Sequence, residues 1–149
     1  MSDLQYFEDL AVGQSWEPGT VDVTEEEILE FARKYDPQPF HVDHEAAKRN
    51  FDGLIASGWH TAAMCMRPFA EHVLPGVAIV AAMGIDELRW HEPVWPGDRL
   101  TVTVSVVEKD RWNAERGLVT FGLEATNAND DLVHSRNDLV VVERRGTEQ

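Results

Sequence analysis

The spacing of apolar residues predicts two helices in the first half of the chain. Between Thr24 and Tyr35, apolar residues recur at i, i+3, i+4 and i+7, the spacing of one buried helical stripe. Thr24 followed by Glu27 predicts a capping box in which Glu27 reaches back to the amide of the cap, while Val23 packs on Ile28. This segment is therefore predicted to be an amphipathic helix.

A second, longer helix is predicted from Ser57 to Leu74, where almost no position is polar. A helix that is apolar all round is a buried helix. Pro68 lacks a backbone donor, so we expect a kink or a break there, and Pro75-Gly76 is expected to end the segment.

After Gly76 the apolar residues recur with a period of two, which is typical of half-buried strands. The clearest alternation runs from Leu100 to Val107 and from Val119 to Ala125. Further strand-like runs and turn signals complete the pattern: strands at Val77–Met83, Asp86–Trp90 and Leu132–Val142, and turns at Pro96-Gly97-Asp98, Arg116-Gly117 and Asn127–Asp131.

This order, helices first and strands afterwards, predicts an α+β domain in which one long helix lies against an antiparallel sheet. The expected edge strands carry no proline or bulge signal, so a second copy of the chain is the natural partner to cover them. We therefore expect a homodimer or a higher homo-oligomer.

Composition and charge narrow the possible roles. The 149 residues fit a single domain, with an ordered core over about 6–142 and a flexible tail over 144–149. Only 13 Lys and Arg oppose 27 Asp and Glu, and the net charge of -14 argues against nucleic acid as a partner. No apolar run reaches the roughly 20 residues that span a bilayer, and the single Cys65 suits a reducing compartment. We expect a cytoplasmic protein that does not enter membranes.

Candidate chemistry follows the first helix directly, in the segment from Asp36 to His41. Pro37 and Pro39 fix the backbone and push the residues before them into extended conformations. A stiff turn that holds a carboxylate and an imidazole can aim both at one water molecule, as general acid/base catalysis requires. Taken alone, these residues equally fit a carboxylate that caps the helix end and a histidine that is satisfied within a turn.

A wider pattern favours the catalytic interpretation. Tyr35-Asp36-Pro37-Gln38-Pro39-Phe40-His41-Val42-Asp43, followed by Ile55-Ala56-Ser57-Gly58 and by Pro93-Val94-Trp95-Pro96-Gly97-Asp98, resembles the MaoC-like family of (R)-specific enoyl-CoA hydratases and related dehydratases. The resemblance extends from about Tyr6 to Val142. It implies a hotdog fold, an antiparallel sheet wrapped around a long central helix, and an enzyme that adds water to a trans-2-enoyl thioester or removes it from a 3-hydroxyacyl thioester.

The same resemblance implies roles for individual residues. Asp36 and His41 correspond to the catalytic pair that holds the water: Asp36 would take a proton as oxygen attacks C3, and His41 would orient the water and help deliver the proton to C2. The amide of Gly58 corresponds to the donor that polarises the thioester carbonyl, and helix N-termini present free N–H groups suited to that task. Gln38, Ser57 and Trp59 are expected to contact the substrate. Gln38 and Ser57 depart from the asparagine and histidine that are usual in the family.

The predicted substrate is an acyl-CoA thioester, and no cofactor is expected. CoA is polyanionic, so basic residues must offset the negative net charge of the chain; the candidates are Lys48, Arg49, Arg67, Arg89, Arg99, Lys109 and Arg111. An acidic carrier protein would be repelled, which favours CoA as the carrier of the acyl group.

Two alternatives remain open from the residues. A hotdog thioesterase would use a carboxylate to direct water at the thioester carbon, and a binding protein would keep the fold without the reaction. His41-Val42-Asp43-His44 has the spacing of a partial zinc site, but no second ligand cluster accompanies it, so no metal is expected.

Overall fold

Five antiparallel strands form a single sheet in the computed structural model, which describes residues 3–146. The sheet has the order β1-β3-β4-β5-β2, so that the first two strands of the sequence are its edges. The strands are β1 (Ser15–Asp22), β2 (Ile79–Trp90), β3 (Arg99–Arg111), β4 (Arg116–Thr126) and β5 (Leu132–Glu143).

Helix α4 (Gly58–His72) lies against this sheet, packed mainly on β1 and β3. Its Cys65 and Phe69 are fully buried, and the Phe69 ring meets the Phe121 ring of β4 edge to face at 5.4 Å. One sheet wrapped around one long helix confirms the predicted α+β hotdog fold. Three shorter helices precede it, α1 (Glu25–Tyr35), α2 (Pro39–Val42) and α3 (His44–Ala47), and 3-10 turns occupy Phe7–Asp9 and Leu74–Gly76.

The first predicted helix is confirmed, with one change at its cap. The Thr24 hydroxyl accepts a hydrogen bond from the Glu27 amide at 3.2 Å, as expected of an N-cap. The Glu27 carboxylate, however, accepts from that hydroxyl at 3.4 Å and not from the Thr24 amide. Val23 and Ile28 are both buried in the core, as the predicted hydrophobic staple requires.

The expectation that α4 is buried on all sides is wrong, and of the expected kink or break at Pro68 the break is absent. Trp59 is 60% exposed, because a single sheet covers only one side of the helix. The helix runs through Pro68 without a break. Pro68 is buried beneath the edge strand, where a Cβ on Gly19 would lie 3.7 Å from the proline Cβ, and this packing compensates for the missing backbone donor.

Strand β1 was not predicted, so the expected order of helices before strands is also wrong. Its Pro18-Gly19 pair is unfavourable in the interior of a sheet. The strand lies at an edge, where a missing donor is tolerated, and its register against β3 shifts between Trp16 and Gly19. The β1 edge therefore carries both a proline and an irregularity, contrary to the expectation of plain edge strands. The other edge strand, β2, has register shifts of its own.

The second half matches the predicted strands with two corrections. The runs predicted at Val77–Met83 and Asp86–Trp90 form one continuous strand, β2, which begins only at Ile79. Arg116-Gly117 is not a turn but the beginning of β4, where Gly117 leaves space for the Phe7 ring that a Cβ would strike. The predicted turns at Pro96-Gly97-Asp98 and Asn127–Asp131 are confirmed, with Gly97 at a φ of 92°.

Two residues of the predicted flexible tail over 144–149 have side-chain contacts with the 3-10 turn Phe7–Asp9. Arg144 Nε donates to Glu8 Oε2 at 3.1 Å, and Arg145 pairs with Asp9. Residues 147–149 of that predicted tail lie outside the described residues. Across residues 3–146, every helix is too short or too polar to cross a bilayer.

Candidate active site

The loop between α1 and α2 brings a carboxylate and an imidazole together. Asp36 ends α1, its amide still bonded to the Ala32 carbonyl at 2.8 Å, and Pro37 cannot continue the helix. Pro39 occupies the first position of α2, where a missing N–H costs nothing. The chain therefore turns within a few residues, and His41 on α2 faces back with Nε2 3.5 Å from Asp36 Oδ2.

The imidazole of His41 is fixed by a backbone carbonyl. Nδ1 lies 2.9 Å from the Ile55 carbonyl oxygen, which can only accept, so Nδ1 carries the hydrogen. In the neutral ring, Nε2 is then an unprotonated acceptor directed towards Asp36. The residue is only 4% exposed, and its ring meets the edge of Phe40 at 4.5 Å. This contact network selects one tautomer and one orientation.

Two side-chain donors hold the Asp36 carboxylate. The Ser57 hydroxyl donates to Oδ2 at 2.7 Å, and Gln38 Nε2 donates to Oδ1 at 2.7 Å. The pKa of Asp36 is lowered chiefly by the Ser57 bond, with smaller contributions from Gln38 and from the neighbouring His41, against the raising effect of burial. Asp36 is therefore ionised at neutral pH and acts only as an acceptor.

The N-terminus of α4 supplies the third component of the site. Ser57 caps this helix by accepting a hydrogen bond from the Trp59 amide at 3.2 Å. Gly58 is the first helical residue, so its amide has no acceptor within the helix. A Cβ at this position would strike the six-membered ring of Trp90, which packs directly over the glycine. Only glycine fits between the helix and the indole.

A cavity of about 260 Å³ lies beside these groups. Of the residues described above, His41, Gly58, Ile55 and Trp90 line it, so the imidazole and the first residue of α4 border the same space. The remaining walls come from the start of α4, from the segment before it and from the chain that follows β2: Ala56, Thr61, His91, Glu92, Pro93 and Val94.

The structure brings five of the six predicted site residues close together, with Trp59 at their margin. Asp36, His41, Gln38 and Ser57 are linked as described, and Gly58 follows Ser57. Ser57 is fully buried and engaged with Asp36, so its predicted contact with substrate stays a prediction. Trp59 is exposed and meets the Trp90 ring edge to face at 5.3 Å, so it is not a core residue, and its predicted contact with substrate stays a prediction.

Two contributors to the site were not predicted. The Ile55 carbonyl fixes His41, but a backbone acceptor has no sequence signature of its own. Trp90 covers Gly58. Its position near the end of a predicted strand is the only sequence signal for this role, and many tryptophans with a purely structural role have such a position.

Other candidate chemistry lies apart from this group. Within residues 3–146, no three His, Cys, Asp or Glu side chains come close enough to hold a metal ion. His44 instead lies 3.1 Å from the carboxylate of Glu25, and Asp43 caps α3. Cys65 is buried, and burial raises the pKa of its thiol to about 12, which removes it as a nucleophile.

The basic residues that could bind a CoA phosphate differ in the contacts that they make within the chain. Arg67 and Arg99 form close ion pairs with Glu71 and Asp22. Lys109 donates to the Leu10 carbonyl. Arg89, next to the cavity wall at Trp90, donates from Nη1 to the Leu88 carbonyl at 3.0 Å and lies 3.6 Å from the Glu87 carboxylate, with a 63% exposed side chain.

Comparison with known proteins agrees with this geometry. Residues 9–129 match the family description "MaoC like domain". The uncharacterized protein YdeM of Bacillus subtilis (strain 168) is 31% identical over 138 residues, which is 92% of this chain and 98% of YdeM.

Solved structures show the same architecture. A MaoC-like dehydratase from Rhodospirillum rubrum superposes with a TM-score of 0.86 and 40% identity, over 95% of this chain and 98% of that chain. The R-hydratase PhaJ1 from Pseudomonas aeruginosa, in its unliganded form, has a TM-score of 0.75 and 28% identity, over 94% of this chain and 86% of that chain.

Proposed function

Because this chain belongs to the MaoC-like domain family, we propose that it is an enoyl-CoA hydratase, or in reverse a 3-hydroxyacyl-CoA dehydratase. The observation that carries the proposal is the pairing of Asp36 Oδ2 and His41 Nε2 at 3.5 Å, beside a cavity that Gly58 also lines. Hydration needs two acceptors for one water molecule and a donor for the thioester oxygen, and these residues provide them.

The hydrogen bonds support a definite order of proton transfers. The donors on Asp36 lower its pKa, which weakens it as a base but keeps it as an anionic acceptor. In the neutral form of His41, Nε2 is the ring nitrogen that lacks a hydrogen, since Nδ1 donates to the Ile55 carbonyl. In our proposal, therefore, His41 takes the proton and Asp36 orients the water and stabilises the imidazolium, the reverse of the assignment expected from sequence.

In the forward reaction the water oxygen forms a bond to C3, and one water proton passes to His41 Nε2. The π electrons of the C2–C3 double bond shift to C1 and its oxygen, which gives a thioester enolate. The Gly58 amide donates a hydrogen bond to this developing negative charge. His41 then returns the proton to C2, the carbonyl is restored, and one water molecule has been added. Dehydration follows the same steps backwards.

The test is a spectrophotometric assay with crotonyl-CoA that follows loss of the conjugated thioester absorbance and, in parallel, release of free thiol. We expect loss of conjugation without thiol. Asp36→Asn and His41→Ala should each lower the rate by about 10² to 10⁴-fold, the usual cost of losing a positioned acid or base.

Matched controls are available on the surface. Asp110→Asn removes an exposed carboxylate on β3, and His72→Ala removes a 59% exposed imidazole at the end of α4; both should keep the wild-type rate. Thiol release would favour a thioesterase. Near-wild-type turnover in both site variants would overturn the assignment of the pair.

We further propose that the protein functions as a homodimer that uses the β2 edge. Strand β2 is an outer strand of the sheet, and it exposes four large apolar side chains, each between 39% and 53%: Val80, Met83, Ile85 and Trp90. An exposed apolar edge favours pairing with another chain. Sedimentation velocity should give a dimer that Met83→Glu weakens, and a stable monomer at micromolar concentration would contradict the proposal.

A further inference from the structure

On the face of β5 that packs against the core, three neighbouring positions, each two residues apart in sequence, are polar. A core strand is normally apolar on this face. His134, Arg136 and Asp138 are at most 5% exposed. They alternate along the strand, and their partners on β4 are the core residues Ala125, Leu123 and Phe121. Burying charges is costly unless every group is paired, so this row needs a role that an apolar row could not fill.

Arg136 is the centre of the row and uses its guanidinium in four directions. Nε donates to Asp138 Oδ1 at 2.8 Å, and Nη2 contacts Met66 Sδ at 3.4 Å. Nη1 donates to the Ala62 carbonyl at 2.9 Å and lies 3.2 Å from His134 Nε2. Ala62 is one helical turn beyond Gly58, so Arg136 ties the first turns of α4 to the sheet.

His134 connects the same arginine to the opposite wall of the cavity. Its Nδ1 lies 3.1 Å from the carbonyl oxygen of Arg89, the residue before Trp90, and must donate to it. Burial and the positive charge of Arg136 lower the pKa of His134 to about 4, so the ring is neutral and its Nε2 accepts from Arg136. One continuous chain of hydrogen bonds therefore runs from α4 through Arg136 and His134 to β2.

We propose that Arg136 and His134 are positioning residues, which fix the separation between the Gly58 amide and the Trp90 indole and so set the space for the thioester carbonyl. The two walls meet at van der Waals distance, since Trp90 occupies the space of a Cβ on Gly58. A small shift of either wall would change how the amide meets the substrate oxygen. This inference rests on the proposed hydratase function.

Kinetics with crotonyl-CoA test the positioning role. Arg136→Met alone leaves the Asp138 carboxylate buried without a partner. A charge-neutral double variant, Arg136→Met with Asp138→Val, removes both charges of the pair and is measured beside it. We expect kcat to fall by about ten- to a hundredfold in both, since a misplacement of about 1 Å can cost about 10²-fold. KM should change less than kcat. Arg136→Lys, which keeps the charge but cannot reach all four partners, should fall between wild type and Arg136→Met.

Val140→Ala is the control for a merely structural effect, because Val140 lies on the same face of β5 and is buried without a polar contact. It should lower stability while kcat per folded molecule stays at the wild-type value. Wild-type kcat in the charge-neutral double variant, or an equal loss of kcat in Val140→Ala, would overturn the positioning role.

Hydrogen exchange separates failure of this inference from failure of the proposed function. If wild type does not hydrate crotonyl-CoA, the proposed function fails, but the link between walls is still measurable. In the double variant, amides near the start of α4 and at the end of β2 should exchange faster together, while in Val140→Ala they should not. Faster exchange confined to β5 would show that the chain of bonds does not hold the two walls.

Discussion

Removing the Ser57 hydroxyl should remove the N-cap of α4 and, at the same time, one of the hydrogen bonds that stabilise the Asp36 carboxylate. The hydroxyl donates to Asp36 Oδ2 at 2.7 Å and accepts from the Trp59 amide at 3.2 Å, and Ser57→Ala deletes both bonds. A lost N-cap costs about 1 kcal/mol, and a hydrogen bond to a charged group contributes about 1.5 to 3 kcal/mol. The Asp36 side chain is 17% exposed, so water replaces part of the second bond. We expect a loss of about 2 to 3 kcal/mol.

Urea denaturation followed by tryptophan fluorescence measures this loss, at one fixed protein concentration and with an unchanged m-value. Ser105→Ala is the matched control, because Ser105 lies on the face of β3 opposite to the one that carries the buried valines. It should stay within about 0.5 kcal/mol of wild type. A Ser57→Ala variant as stable as this control would refute the assignment of two bonds to one hydroxyl.

The same substitution makes a prediction about pH. The Ser57 bond is the largest cause of the lowered pKa of Asp36, so its loss raises that pKa. Titration of the Asp36 carboxyl carbon by NMR should therefore give a higher midpoint in Ser57→Ala than in wild type. If stability falls but this midpoint stays in place, the Ser57 hydroxyl is not the main donor that stabilises the ionised carboxylate.

Three further changes follow from the packing. His134 has a pKa of about 4 in the folded chain against about 6.5 in the unfolded chain, so the unfolded chain binds more protons between these two pH values. Up to about 3 kcal/mol of the free energy of unfolding should therefore be lost as pH falls through this range. In acid titrations, His134→Asn should make stability depend less on pH. Gly58→Ala should displace the Trp90 ring and lower activity, and Trp90→Ala added to it should restore stability in denaturant melts. Phe121→Ala should cost about 3 to 5 kcal/mol by calorimetry, because the ring is fully buried against Phe69.

Sequence reasoning succeeded where local chemistry and tertiary packing agree. The Thr24 cap, the alternation along β3 and β4, and the two prolines of the loop each act through neighbouring residues or a regular period, which one dimension can express. The stiff loop also explains why the pairing of Asp36 with His41 could be predicted from the sequence. Their resemblance to a known motif supplied the rest of that prediction.

The failures have one physical origin, the position of a residue relative to the sheet edge and its open side. Pro18-Gly19 argues against a strand unless the strand lies at an edge, and edge position is a property of topology. The exposure of Trp59 follows in the same way, because only the assembled sheet decides which side of α4 is covered. The buried row around Arg136 is likewise invisible in sequence, where the unbroken polar run from His134 to Asp138 resembles a segment facing solvent.

The coupling of stability to chemistry in this fold comes from shared hydrogen bonds. Ser57 is both the cap of α4 and the main donor to Asp36, so the residue that caps the helix beginning at Gly58 also lowers the pKa of the carboxylate. The departures at Gln38 and Ser57 preserve this arrangement, since both side chains still donate to the carboxylate at 2.7 Å. A substitution that only frayed the helix would leave the pKa of Asp36 unchanged, whereas one that removes the Ser57 hydroxyl must change both properties. Stability and the Asp36 pKa should therefore change together at Ser57 and separately at other positions of the first turn.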